Sequence, residues 1–139
     1  MMKKNFSVFI NKKINKFSKT IKVDSDKSLS LRSLMLASQC IGLSKIKNIL
    51  ESEDVLNCIK ILKKLGVKII KKRNIHFVYG NGLNSFKTHK KLTKIYVGNS
   101  GTTARLLSGL LSTQSDKFYM YGDKSMNKRD MSRVIQPLK

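Results

Sequence analysis

The stretch that decides the fold of this chain is Val97-Gly98-Asn99-Ser100-Gly101-Thr102-Thr103-Ala104-Arg105-Leu106-Leu107. A β-type run precedes it, and a Leu-rich helical pattern follows it. Glycines let the backbone come close to a ligand, and the first amides of a helix have no partner within the helix. The helix dipole adds partial positive charge, and Arg105 lies about one turn from the helix start. The stretch therefore predicts either an anion site or an ordinary strand-to-helix turn with a Ser/Thr cap.

The composition is strongly basic. The chain has 139 residues, a formal net charge of +21 and 40% hydrophobic residues, which indicates one folded domain's worth of sequence. Its cations are 24 lysines and only five arginines, and Trp is absent. Proteins that read nucleic acid usually favour arginine, with aromatic side chains interleaved for stacking. Because lysines are spread along the whole chain here, the basic composition is as readily a compositional habit as a binding footprint, and we do not expect nucleic acid as the partner.

Several classes of protein are not expected. Cys40 and Cys58 have no CxxC spacing and do not cluster with His76 or His89, so we expect no metal site and no disulfide. No apolar run approaches the length that crosses a membrane. Residues 1–22 contain seven lysines and no acid, but they lack a continuous apolar segment and any arginine. This pattern argues against a targeting peptide, and we therefore expect a cytoplasmic protein without a membrane partner.

The hydrophobic pattern predicts an α/β (α+β) fold built from a repeated unit. The predicted strands are 6–10, 20–23, 44–49, 67–70, 75–79, 94–97 and 118–121, and the predicted helices are 28–41, 53–65, 102–112 and 126–138. The first helix is expected to stop at Gly42, and Ser52 is expected to cap the second. Residues 20–80 then form one β-α-β-α-β-β unit, and residues 92–139 begin a second.

The two units also share sequence. Asp54, Ile59 and Leu62 have the same spacing as Asp130, Ile135 and Leu138. A unit with helices on one side of a sheet needs neighbouring copies to bury its apolar faces. Since the second unit stops before its closing strands, we expect this chain to be the front part of a longer protein.

Two more junctions resemble the first in composition. Asp26-Lys27-Ser28-Leu29-Ser30-Leu31-Arg32 places an ammonium, a hydroxyl and a guanidinium within about one turn of a helix start. Gly122-Asp123-Lys124-Ser125-Met126-Asn127-Lys128-Arg129-Asp130 precedes the last predicted helix. Each alone is commonly a solvated run of charges. Three such clusters at strand ends and helix starts favour one shared anionic ligand.

These motifs, together with Leu50-Glu51-Ser52-Glu53-Asp54-Val55, resemble the N-terminal part of the 5-enolpyruvylshikimate-3-phosphate synthase family. The similarity runs from about residue 20 to the end, roughly a third of a family member. The resemblance implies a two-domain enzyme in which each domain packs three repeat units, with residues 1–20 in the other domain. The implied reaction transfers the enolpyruvyl group of phosphoenolpyruvate to the 5-hydroxyl of shikimate 3-phosphate and releases phosphate, without a cofactor. A full-length monomer is expected.

The resemblance also implies roles for individual residues. By this likeness Lys27 lies between both substrates, Ser28 and Arg32 hold shikimate 3-phosphate, and the remaining matches face phosphoenolpyruvate: Gly101 and Arg129, with Asn99, Thr102 and Arg105 beside them. The acid–base residues are expected in later sequence, so no catalytic residue is assigned within residues 1–139. We therefore expect these residues alone to bind weakly and not to turn over.

The chain departs from the family pattern at two places. Asp24-Ser25 replaces the usual Pro-Gly, and Asp130 stands where Pro is common, which affects the expected loop shape. Two alternative functions remain open at this point. One is enolpyruvyl transfer to UDP-N-acetylglucosamine, and the other is a basic nucleic-acid-binding module.

Overall fold

The computed structural model of the protein describes residues 25–88 and 92–138. The predicted strands 6–10 and 20–23 lie outside these residues. The elements in chain order are α1 (Lys27–Gln39), β1 (Ile41–Lys47), α2 (Glu53–Lys64), β2 (Lys68–Lys72), β3 (Ile75–Asn81), β4 (Leu92–Tyr96), α3 (Gly101–Leu111), β5 (Lys117–Tyr121), a 3-10 turn (Met126–Lys128), α4 (Ser132–Ile135) and a last 3-10 turn (Gln136–Leu138). None of these helices is long and apolar enough to cross a membrane.

The first unit is an antiparallel sheet in the order β1-β3-β2 with α1 and α2 beside it. Along β3, buried and half-buried residues alternate, as expected for a sheet with one face against the core. Gly80 is required where α1 meets this sheet, because a Cβ at Gly80 would lie 2.2 Å from the Cys40 carbonyl oxygen. The two helices bury their apolar stripes against the sheet, and the fully buried side chains include Leu31, Leu34, Val55, Leu62 and Val78.

The second unit is a parallel pair, β4 and β5, connected through α3. Thr93 and Ile95 of β4 point into the core, and the residues between them are exposed. The same core continues from the first unit into the buried face of α3, which contains Ala104, Leu107 and Leu111. The two units therefore share one apolar interior in the part of the chain described.

Three details of the sequence prediction are wrong. Ser52 stands directly before α2, but its hydroxyl makes no capping hydrogen bond to that helix. A continuous helix over 126–138 is not formed, since α4 spans only Ser132–Ile135. The Asp130 carboxylate accepts hydrogen bonds from the Ser132 amide and hydroxyl, each at 2.8 Å, and this local turn replaces helical hydrogen bonds. Gly42 does not stop α1, which ends at Gln39. Gly42 instead lies within β1 at a φ of +91°, a conformation that favours glycine.

Candidate anion-binding site

The start of α3 is formed by a buried hydroxyl pair. Ser100 caps the helix, and its Oγ accepts hydrogen bonds from the Thr103 amide at 3.3 Å and the Thr103 hydroxyl at 2.8 Å. Both side chains are buried, so these hydroxyls hold the turn and do not face solvent. Gly101 is the first helical residue and Thr102, which is half-buried, is the second. The Thr103 amide is used by this cap, so the amides of Gly101 and Thr102 are the ones left for a ligand.

Two guanidinium groups converge on Gly101. A Cβ built on this glycine would lie 2.9 Å from Nη1 of Arg129 and 3.1 Å from Nη1 of Arg105. The two guanidinium groups therefore occupy the space that a side chain at position 101 would fill. Two like charges placed against a helix N-terminus repel one another and the helix dipole, and a bound anion relieves that repulsion.

Arg129 reaches this position because residues 122–129 fold back on the loop before α3. The Asp123 amide donates to the Gly98 carbonyl oxygen at 3.0 Å. The side-chain amide of Asn127 bonds both backbone groups of Gly122, at 2.9 and 3.1 Å. Arg129 then donates from Nη2 to the Asn99 side-chain oxygen at 2.6 Å. Asn99 thus orients the guanidinium that lies over Gly101.

One carboxylate, Asp130, lies beside these cations. Its pKa is lowered chiefly by the hydrogen bonds from the Ser132 amide and hydroxyl, with a smaller contribution from the charge of Arg105. The carboxylate is therefore ionised at neutral pH. Because this is one carboxylate beside three guanidinium groups, it compensates their charge only in part.

A cleft of about 370 Å³ opens at the start of α3, which we call the α3 corner. The cleft is lined by Arg105, Arg129, Asp130 and Arg133. Sequence reasoning did not include Arg133 in the site. The sequence did contain an indication of Arg133, since arginine is rare in this chain and Arg133 follows Arg129 by four residues.

The start of α1 is built differently. Asp26 caps this helix by accepting from the Leu29 amide at 2.8 Å. Lys27 forms an ion pair with Asp54 of α2 at 3.0 Å, so its charge already has a partner. Ser28 is half-buried. Arg32 lines a separate cleft, which is otherwise apolar and is shared with Leu106 of α3.

The first turns of α2 connect the start of α1, which we call the α1 corner, with the α3 corner. Asp54 binds Lys27, and Asn57, three residues later on the same helical face, donates to the Tyr96 carbonyl oxygen at 3.0 Å. The Asn57 side-chain nitrogen also lies 3.5 Å from a Cβ built on Gly98. One face of α2 therefore contacts both Lys27 and the loop that leads into α3. Neither Asp54 nor Asn57 was among the predicted site residues.

The structure thus brings together Gly101, Asn99, Arg105 and Arg129 by direct contact, and adds Arg133. Lys27 is linked to that group only through α2. Among the hydrogen bonds and ion pairs of residues 25–88 and 92–138, none joins Ser28 or Arg32 to it. The described residues also contain no group of three or more His, Cys, Asp or Glu side chains able to hold a metal ion.

Comparison with known proteins identifies the fold. The EPSP synthase from Acinetobacter baumannii superposes with a TM-score of 0.76 at 37% sequence identity, over 84% of this chain and 26% of that one. A second structure of EPSP synthase from the same organism gives a TM-score of 0.77 at 38% identity, over 85% of this chain and 26% of that one. The described residues therefore have the enolpyruvyl transferase fold of these EPSP synthases.

The sequence comparisons are more specific. The family model for EPSP synthase (3-phosphoshikimate 1-carboxyvinyltransferase) matches residues 11–139, and the chain belongs to this family. The 3-phosphoshikimate 1-carboxyvinyltransferase of Ruthia magnifica subsp. Calyptogena magnifica is 46% identical over 132 residues, covering 95% of this chain and 30% of the relative. The enzyme of the same name from Streptococcus mutans serotype c is 43% identical over 122 residues, covering 88% of this chain and 28% of the relative. The chain thus spans less than a third of the length of these relatives.

Proposed function

We propose that this chain takes part in enolpyruvyl transfer from phosphoenolpyruvate to the 5-hydroxyl of shikimate 3-phosphate, in the biosynthesis of chorismate and aromatic amino acids. Its relatives bear the name of this transferase, and the cations at the start of α3 suit a phosphorylated acid. The observation that carries the proposal is the convergence of Arg105 and Arg129 on Gly101. This arrangement offers two guanidinium groups and free helix amides to one phosphate.

We assign the residues in two groups. Gly101 and Arg129 bind phosphoenolpyruvate, with Asn99, Thr102 and Arg105 around the same phosphate. Ser28 and Arg32 bind shikimate 3-phosphate, and Lys27 lies between the two substrates. The contacts of α2 with Lys27 and with the loop before α3 support this division, because they hold both groups on one side of that helix.

The role of these residues is binding and positioning. Both substrates carry a phosphate and a carboxylate, and preorganised cations hold them in a reactive orientation. Protonation of the enol methylene and deprotonation of the hydroxyl need a general acid and base, which we place in sequence that the longer relatives have beyond this chain. The repeat units are proposed to cover about 20–80 and 92–139, with residues 1–20 in the other domain. A cytoplasmic monomer for the full-length protein also remains a prediction.

The proposal is tested by titrating the chain with phosphoenolpyruvate and observing its backbone amides by NMR. We expect millimolar binding, with the largest shift changes at residues 98–105 and 122–133. Arg129→Gln should weaken binding about tenfold or more, because a hydrogen bond to a charged group contributes about 1.5–3 kcal/mol. No transferase turnover is expected from residues 1–139 alone.

Lys128→Gln is the matched control. It removes one positive charge next to Arg129, but Lys128 does not line the cleft. Equal losses in the two variants would show that binding depends on net charge alone, as a nonspecific nucleic-acid binder would. Turnover by the chain alone would contradict the placement of the acid and base.

A further inference from the structure

Helix α2 is bonded to one edge of β4 by two side chains. Asn57 donates to the Tyr96 carbonyl oxygen at 3.0 Å, and Nζ of Lys64 donates to the Lys94 carbonyl oxygen at 2.6 Å. The two donors are separated by about two helical turns, so they lie on the same face of α2. The two acceptors alternate along β4, so their carbonyl groups point to the same edge of that strand. Side chains of the first unit therefore hold the second unit along this edge.

The bond from Asn57 lies at the end of β4 that leads into the α3 corner. The carbonyl oxygens of residues 96–98 accept hydrogen bonds from three different parts of the chain. The first accepts from Asn57, the second from the Ser100 amide at 3.2 Å and the third from the Asp123 amide at 3.0 Å. Ser100 and Asp123 belong to the second unit, whereas Asn57 belongs to the first. Asn57 therefore fixes this loop relative to the helices of the first unit.

Asn57 also shares its helix with the partner of Lys27. Asp54, about one turn before Asn57, forms the ion pair with Lys27 at 3.0 Å. The Asn57 side-chain nitrogen lies 3.5 Å from a Cβ built on Gly98, so it packs directly against the backbone of the loop before α3. This loop continues into Gly101, where the two guanidinium groups converge. Loss of the Asn57 contact would let Gly101 and Lys27 move relative to one another.

We propose that Asn57 is a positioning residue for phosphoenolpyruvate: its hydrogen bond to the Tyr96 carbonyl oxygen fixes the loop before α3 relative to Lys27. This inference rests on the proposed function, in which Lys27 lies between the two substrates and Gly101 binds phosphoenolpyruvate. Asn57 acts through the backbone of residues 96–98. A loop that is already ordered in the free chain costs less free energy to fix when the ligand binds.

The variant Asn57→Ala tests this role by NMR titration with phosphoenolpyruvate. Alanine is the better helix former, so α2 stays helical while the donor to Tyr96 is lost. We expect about three- to tenfold weaker binding, the range that follows from the loss of one hydrogen bond.

Lys64→Ala is the matched control. It removes a donor from the same face of α2 and from the same edge of β4, but at a carbonyl group farther from the α3 corner. It should change the affinity for phosphoenolpyruvate by less than about twofold, because the charge that it removes is exposed and screened by salt.

Hydrogen exchange gives a second readout that does not depend on a ligand. The amides of Ser100 and Asp123, which are bonded within the loop region, should exchange at least about threefold faster in Asn57→Ala than in Lys64→Ala. The melting temperatures of the two variants should agree to within about 2 °C, because each loses one side-chain hydrogen bond to β4. A purely structural role of Asn57 would change stability without this local difference.

The outcomes separate the two proposals. If Asn57→Ala binds phosphoenolpyruvate as tightly as the wild type, or if both variants lose affinity equally, Asn57 does not position the site and the proposed function stands. Equal exchange rates of Ser100 and Asp123 in the two variants would also overturn the role of Asn57. If the wild-type chain does not bind phosphoenolpyruvate, the proposed function itself fails and the inference fails with it.

Discussion

The helix starts of α1 and α3 contain similar residues, yet the structure gives them different electrostatic surroundings. At α1 the cation Lys27 is paired with Asp54 at 3.0 Å, and Arg32 lies along an apolar cleft. At α3 two guanidinium groups occupy the space above Gly101, and a third arginine faces the same cleft. A cap followed by cations is thus a weak sign of a site. The uncompensated charge in the folded chain distinguishes the two.

This difference originates in the chain that packs against each helix start. The neighbour of α1 is the acidic first turn of α2, which contains Glu53 and Asp54. The neighbour of α3 is the loop 122–129, which contributes Arg129 and is followed by Asp130, whose carboxylate accepts from Ser132. The following variants either remove the difference between the two corners or measure it.

The largest effect is expected from Gly122→Ala. A Cβ here would lie 2.4 Å from the Gly98 carbonyl oxygen, a backbone atom that cannot move without displacing the loop before α3. We expect the free energy of unfolding to fall by more than about 2 kcal/mol. Urea denaturation measures this loss, and phosphoenolpyruvate binding should disappear with it.

Gly109→Ala is the control for that variant. It adds the same methyl group within α3, where nothing lies within 4 Å of the new Cβ. Because alanine is the better helix former, stability should rise by about 0.5–1 kcal/mol. Equal urea midpoints for Gly122→Ala and the wild type would show that the loop 122–129 does not depend on this close approach.

Gly101→Ala should separate binding from stability. The new Cβ meets only the ends of two flexible side chains, Arg129 and Arg105, so the guanidinium groups move and the backbone does not. We expect stability within about 0.5 kcal/mol of the wild type and roughly tenfold weaker phosphoenolpyruvate binding. Calorimetric unfolding and the NMR titration measure the two quantities. Unchanged affinity would mean that the space above Gly101 is not where the anion binds.

Asp54→Asn should have the smallest effect. It makes the charge at the start of α1 more like that at the start of α3. It removes the partner of Lys27, and an exposed ion pair of this kind contributes only about 0.2–1 kcal/mol to stability. The freed ammonium should bind inorganic phosphate up to about threefold more tightly at α1. Shift changes at residues 27–32 report this corner alone. Weaker phosphate binding there would show that Asp54 orients Lys27 rather than neutralising it.

Much of the fold was predictable because its signals are local. Helix caps and apolar spacing placed α1, α2 and α3 to within about two residues, and alternation located most strands of the described chain. The last helix was not predictable from spacing, because the Asp130 side chain competes for the Ser132 amide and breaks the helix. Gly42 was wrongly predicted to end α1. A glycine at positive φ is compatible both with a helix end and with the start of a strand, so the residue type alone does not decide between them.

The residues of the candidate site around α3, apart from Arg133, were named from the sequence, but the contacts between them were not predictable. The glycine and the arginines around α3 follow from their residue types, which suit an anion. The pairing of Lys27 with Asp54, and the contact of Asn57 with the loop before α3, depend on how α2 packs. Such contacts between residues distant in sequence are set by the tertiary structure, and a single sequence contains no local signal for them.

The crowding of guanidinium groups above Gly101 also affects how this protein should be handled. Any ligand that binds only the folded state shifts the unfolding equilibrium in proportion to its concentration. Sulfate and phosphate, as the simplest ions fitting this corner, should therefore raise the melting temperature more than chloride does at equal ionic strength. If they do, the choice of buffer salt becomes an experimental variable, and a melting curve recorded in phosphate then describes the liganded protein.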